Sequence, residues 1–208
     1  GRKTAEKTEK EVMAQMQSKK SSGNKGKLKA ETGKSMAGPQ LVDPAEKEKE
    51  VTLCKKTLSL SNLSKIYWPR EKISKGEMIN YYYQVAEYIM PYLKDRPQSL
   101  NRYPNGIEGE SFDQKNIGEQ SPEWAETYRY RSESDGKIKH YLVVKDEASL
   151  IYMANLGCIE MHPWHSRVQK PDNPDWCVID IDPDTSNRFE QVIEVALKIR
   201  EYLDQLKV

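Results

Sequence analysis

The sequence predicts an α+β fold, and three observations carry that prediction. Segments that read as strands alternate with segments that read as helices. The loops between them are long, which argues against the short crossovers of a doubly wound parallel sheet. All the aromatic residues (4 Trp, 12 Tyr and 2 Phe) lie beyond residue 50, so the hydrophobic core is expected within residues 51–208.

Residues 1–50 are Lys, Glu, Ser and Gly with scattered Ala and Met. Such a stretch buries too little apolar area to offset its ordering entropy, so it is expected to be a disordered, mildly basic tail or linker. A weak helical pattern over 5–20, with Val12, Met13 and Met16, is broken by Gly23, Gly26, Gly33, Gly38 and Pro39. No initiator methionine stands at Gly1, so a longer parent chain is expected. The formal net charge of +1 does not mark a nucleic-acid binder, and any DNA contact must come from a local patch. No apolar run is long enough to span a membrane, and no signal peptide is visible. Cys54, Cys158 and Cys177 are far apart, which argues against a zinc site or a disulfide framework and fits a reducing cytoplasm.

The globular part is expected to open near Val51. Ser74 followed by Glu77 is a capping box, and Met78, Tyr82, Val85, Ile89 and Leu93 then share one helical face, the run ending near Pro91. Ser99–Tyr103 and Thr127–Arg131 read as short strands, with Gly106 and Gly109 marking the turn after the first. Ile138–Val144 reads as a strand. Asp146 starts a helix carrying Leu150, Ile151 and Ala154, which stops at Gly157. Cys158–His162 and Trp176–Asp182 read as strands, and Asn187 starts a last helix with Phe189, Val192, Ile193, Ala196, Ile199 and Leu203 on one face.

Three groups of residues could carry chemistry. On a strand, Asp180 and Asp182 share a face, ~7 Å apart at ~3.3 Å per residue, with Ile179 and Ile181 turned to the other. Their mutual repulsion would become attraction around hard divalent cations, the arrangement used in two-metal phosphoryl transfer. Ordinary charges at a strand end are an equally good reading from the residues alone. Thr185 and Gln191 at the sixth and twelfth places argue against an EF-hand loop, which leaves calcium binding a remote reading. Glu160 and His162 also share a strand face, and a His beside a carboxylate either orients a phosphate or ribose or forms a structural hydrogen bond. The third group is basic: Asn62, Lys65 and Lys75 lie around the Pro69 turn, with Arg102 and Lys115 farther on. Lysines beside the free amides of a helix start suit a phosphate.

An ordered series of segments resembles the polymerase domain of bacterial DNA ligase D, of the archaeo-eukaryotic primase superfamily. It runs through Leu60-Ser61-Asn62-Leu63-Ser64-Lys65, Trp68-Pro69, Ile73-Ser74-Lys75-Gly76, Arg96-Pro97 and Arg102-Tyr103-Pro104-Asn105-Gly106. Phe112 and Gln114-Lys115 follow, then Ala154-Asn155-Leu156-Gly157, Glu160-Met161-His162-Pro163-Trp164 and Asp180-Ile181-Asp182-Pro183. The resemblance implies a primase-polymerase-like mixed sheet with flanking helices, incomplete at the C terminus, with residues 51–208 as the N-terminal portion of the domain.

It also implies an activity: addition of nucleotides, often ribonucleotides, to a 3′ end near a break in non-homologous end joining, with Mn²⁺ or Mg²⁺. On this resemblance Asp180 and Asp182 are metal ligands and catalytic, and His162 lies in the nucleotide and primer pocket. Asn62, Lys65 and Lys75 would bind the 5′-phosphate of the broken end, with Arg102, Phe112 and Lys115 facing DNA or nucleotide. Implied partners are DNA ends with a 5′-phosphate, nucleoside triphosphates, a ligase domain in the same parent chain and the Ku end-binding protein, at the bacterial nucleoid and away from any membrane. Two departures stand out. Asp113 replaces the family's second aromatic after Phe112, which leaves Phe112 open to a core role. The family's third metal-binding aspartate lies beyond Val208, so the chain alone is expected to be inactive, or to act as a non-catalytic module binding 5′-phosphate ends.

Overall fold

Folded structure begins earlier than Val51. The computed structural model describes residues 38–118, 121–133 and 135–207; the weak helical pattern at 5–20 lies outside them. Strand β1 (Glu48–Leu53) pairs antiparallel with β2 (Lys56–Ser61). Ahead of β1, Val42 is buried, and the buried amide of Asn80 accepts from Leu41 N–H and Val42 N–H and donates to Val42 C=O. An apolar pair within a charged stretch suffices because one side chain satisfies its backbone. Asn80→Ala strips three partners from a dry site and should cost about 2–4 kcal/mol. Urea unfolding measures the loss, and faster hydrogen exchange at Leu41 and Val42 locates it.

Strands β3 (Ile66–Trp68) and β4 (Ile73–Ser74) form a short antiparallel ladder that leads into α1 (Lys75–Gln84). The capping box holds: Glu77 N–H donates to Ser74 Oγ, and Ser74 N–H donates to Glu77 Oε2. The single helix expected to run on to Pro91 is two. Val85 leaves the helical region between α1 and α2 (Ala86–Leu93), and Pro91 lies inside α2.

Among the described residues every strand pair of the main sheet is antiparallel, where the resemblance implies a mixed sheet. The main sheet comprises β5 (Pro97–Arg102), β6 (Phe112–Gln114), β7 (Thr127–Arg131), β8 (Ile138–Val143) and β9 (Cys158–Pro163). Its order is β6-β5-β8-β7, with β9 also paired to β5. Helix α3 (Glu147–Asn155) is capped by Asp146 and buries Ala148, Leu150, Ile151, Met153 and Ala154. A helix apolar on most sides belongs inside, and α3 packs against α1, β2 and β9. Gly157 ends it at φ 78°, where a Cβ would stand 2.7 Å from the Tyr67 hydroxyl.

The stretch Trp176–Asp182 is not a strand. Its backbone forms no ladder with any described residue, and Val178 and Ile179 are 63% and 49% exposed, so Ile179 does not face a core. Alternation of side chains makes a strand only where a neighbouring edge accepts its backbone. Helix α4 (Phe189–Leu206) has the expected apolar stripe but buries none of its residues. Its periodicity reports amphipathicity, whereas burial depends on what packs against the stripe. No helix of the described residues is long and apolar enough to cross a membrane.

Candidate functional site

The turn after β2 and the start of α1 are locked together. Asn62 takes a left-handed conformation at φ 57°, and Lys65 N–H donates to Asn62 C=O. Lys75 N–H then donates to Lys65 C=O and Gly76 N–H to Leu63 C=O, each at 2.8 Å. Gly76 permits the approach, since a Cβ there would meet Pro44 Cα at 2.9 Å and Leu63 O at 3.2 Å. The amides of Lys75, Gly76 and Glu77 are therefore all occupied. The free helix-start amides expected to hold a phosphate are not available, and any anion must be held by side chains.

Those side chains converge. Lys75 Nζ donates to Ser61 C=O at 2.7 Å and to Asn155 Oδ1 at 3.0 Å, in a residue only 4% exposed. Lys65 Nζ donates to Pro104 C=O at 2.6 Å and Asn105 Oδ1 at 2.9 Å. Arg102, from the end of β5, donates through Nε to Leu156 C=O and through Nη1 to Gln114 Oε1. Every acceptor is neutral, and no described carboxylate pairs with any of the three. Elsewhere, enclosed cations have partners: Lys56 pairs with Asp146 at 2.7 Å, Arg96 with Asp175 at 2.6 Å, and Lys145 with Asp95 at 2.7 Å. Burial pulls the Lys75 ammonium down to about 8, and the neighbouring charges of Lys65 and Arg102 push the same way. Like charges gathered without counterions are costly unless an anion arrives.

The other expected site residues fall in separate places. Phe112 is exposed and stacks on the Arg102 guanidinium, 5.2 Å from ring centre to Cζ, so it is not a core residue. Lys115 is exposed just after β6. His162 and Glu160 lie exposed on β9, with His162 Nε2 3.5 Å from Glu160 Oε2. Glu160 also accepts from the Tyr103 hydroxyl at 2.7 Å, and that bond holds its carboxyl below the usual range.

Asp180 and Asp182 are exposed on the extended run before α4, and neither carboxylate is drawn into a described ion pair or hydrogen bond. Asp184, in contrast, is bonded to the backbone and hydroxyl of Ser186. Among the described residues no group of three or more His, Cys, Asp or Glu side chains could hold a metal ion. The donor chemistry of Asp180 and Asp182 nevertheless fits a hard cation, because Mg²⁺ commonly takes one or two carboxylates and completes its shell with water and substrate phosphate. Sequence reasoning assigned no role to Asn155, Asn105 or Ser61, which orient the two lysines. Amides and carbonyls carry no charge signature in a sequence.

The chain is similar to known proteins in both sequence and fold. The family model described as "LigD, primase-polymerase domain" matches residues 74–208. The bifunctional non-homologous end joining protein LigD of Bacillus subtilis is 30% identical over 151 residues, covering 73% of this chain and 24% of that protein. The multifunctional LigD of Pseudomonas aeruginosa is 27% identical over 177 residues, covering 84% of this chain and 21% of that protein. The chain thus spans about a quarter or less of these relatives' length. The polymerase domain of Mycobacterium tuberculosis ligase D, solved in complex with DNA, superposes with a TM-score of 0.61 at 24% identity, over 72% of this chain and 54% of that one. With the ordered motifs, these matches show that the chain belongs to the LigD primase-polymerase domain family.

Proposed function

We propose that this chain is part of a DNA-repair nucleotidyltransferase acting in non-homologous end joining, and that its described residues recognise the 5′-phosphate of a broken DNA end. One observation carries the recognition step: Lys65, Lys75 and Arg102, the first and last half-buried and Lys75 buried, form a cationic cluster whose every acceptor is neutral. An ammonium has three donors, and each lysine spends two of them inside the protein. The remaining donor of each is kept for the ligand. A terminal phosphate, with close to two charges, gains more from such a site than a mid-strand diester with one. Asn62 adds a neutral amide on the same turn. On this reading Phe112, Arg102 and Lys115 contact DNA or nucleotide, and His162 the nucleotide or primer.

The chemical step belongs to Asp180 and Asp182, which would hold Mg²⁺ or Mn²⁺. The metal's contribution there is to neutralise charge on phosphoryl oxygens during addition of nucleotides from nucleoside triphosphates. A second reading is end binding without nucleotide addition, which would need only the cationic cluster of Lys65, Lys75 and Arg102. A ligase domain and Ku are the partners the family membership suggests, in a bacterial cytoplasm.

The proposal has a pH signature. A phosphomonoester takes its second charge near pH ~6, and Lys75 loses its own near about 8. The charges facing Lys75, on Lys65 and Arg102, are both positive and lower its midpoint. Preference for a phosphorylated over an unphosphorylated gapped end should rise through pH ~6 and fall above pH ~8. Fluorescence anisotropy at fixed salt measures it. A preference unchanged from pH 7 to 10 would show that Lys75 does not carry recognition.

A further inference from the structure

We infer that Asn155 is the positioning residue of the phosphate site, orienting Lys75 by a neutral amide that a carboxylate cannot replace. The inference rests on the proposed phosphate reading and deepens it. Asn155 is the last residue of α3, a helix fixed by its buried faces. Its Oδ1 accepts from Ser61 N–H at 3.1 Å and from Lys75 Nζ at 3.0 Å, and its Nδ2 donates to Ser59 C=O at 3.1 Å. One side chain therefore grips the end of β2 at two backbone groups and the Lys75 ammonium at a third.

Ser61 is both ends of a small circuit. Its N–H goes to Asn155, and its C=O accepts from the same ammonium at 2.7 Å. The next residue is Asn62, whose left-handed turn leads to Lys65. Asn155 thus sets the place of Lys75 directly and the place of the Asn62–Lys65 turn through β2.

The chemistry explains an amide at this position. Aspartate has nearly the same shape and would bind Lys75 more strongly, as carboxylates do for Lys56, Arg96 and Lys145. It would also cancel the charge that the phosphate needs, and it has no N–H for Ser59 C=O. Asparagine accepts from the cation while leaving its charge unspent. Burial and the like charges of Lys65 and Arg102 keep that ammonium poised, with its proton held weakly.

The test uses the whole chain with Asn155→Asp, Asn155→Ser and wild type. Affinity for gapped DNA with and without a 5′-phosphate is read at fixed salt, and the Lys75 side chain is titrated by NMR without DNA. Asn155→Asp should cut the phosphate preference about tenfold or more while raising the Lys75 midpoint, and Asn155→Ser should weaken the preference without raising it. Melting curves identify any variant that fails to fold, and the near-isosteric aspartate keeps the test open if the serine variant does. A wild-type preference kept in full by a folded Asn155→Asp overturns the positioning role and leaves the phosphate site standing. No preference in the wild type overturns both, even if the Lys75 midpoint moves with residue 155.

Discussion

Lys75→Met should remove most of the preference for a 5′-phosphorylated end while leaving weak binding to any gapped DNA. Methionine keeps the aliphatic stem that fills the space under the turn, and it removes the ammonium bonded to Ser61 and Asn155. Charge-assisted hydrogen bonds are worth roughly 1.5–3 kcal/mol, so the phosphorylated end should bind about tenfold to a hundredfold more weakly. Lys65→Met should act in the same direction, since Lys65 is likewise oriented by neutral oxygens of Pro104 and Asn105. The comparison between the two DNAs decides the matter. Lysines that merely attract polyanions would lose affinity for both equally, with a shallower salt dependence. The melting temperature of Lys75→Met should shift by no more than a few degrees, because the deleted charge was buried without a counterion.

Asp180→Ala and Asp182→Ala should separate binding from chemistry. Both side chains are exposed and have no described partner, so their loss should not disturb the fold. If they hold the divalent cations, either change should lower the rate of nucleotide addition to a gapped end by roughly a hundredfold or more. DNA affinity should be unchanged or slightly higher, since a negative charge near a polyanion is removed. Primer-extension gels with Mn²⁺ or Mg²⁺ read the first effect, and anisotropy reads the second. Near-normal addition by Asp182→Ala would end the metal assignment and leave the end-binding reading as the better one.

Legibility in the sequence followed the range of the interaction. The capping box of Ser74 and Glu77, the Asp146 cap and the Gly157 stop are set by residues within one turn of one another, and each stands where the sequence puts it. The β1–β2 hairpin was silent for a physical reason. Its turn places Cys54 and Lys55 at φ 51° and 62°, where glycine and asparagine usually advertise such a turn. Trp176–Asp182 failed in the opposite way. Its alternation is plain, but a ladder needs a partner, which period alone does not supply. The N-terminal segment around Val42 was missed because its anchor, Asn80, is 38 residues away.

The candidate site was legible in part. Lys65, Lys75 and Arg102 stood out by motif, and the structure brings Lys65 and Arg102 within electrostatic reach of Lys75. Two details needed the fold. The helix-start amides are already taken by Lys65 C=O, Leu63 C=O and Ser74, so an anion there would meet lysine side chains and not the helix end. Phe112, ambiguous between core and surface, stacks on Arg102 because the β5–β6 register sets the two opposite each other.

The uncompensated cationic cluster is proposed to read the phosphate at a broken end. The direct measurement is the affinity of the unmodified chain for one gapped DNA carrying either a 5′-phosphate or a 5′-hydroxyl, at pH ~7 and fixed salt. Tighter binding of the phosphorylated end by about tenfold or more is expected. Equal affinity for the two ends would contradict the account.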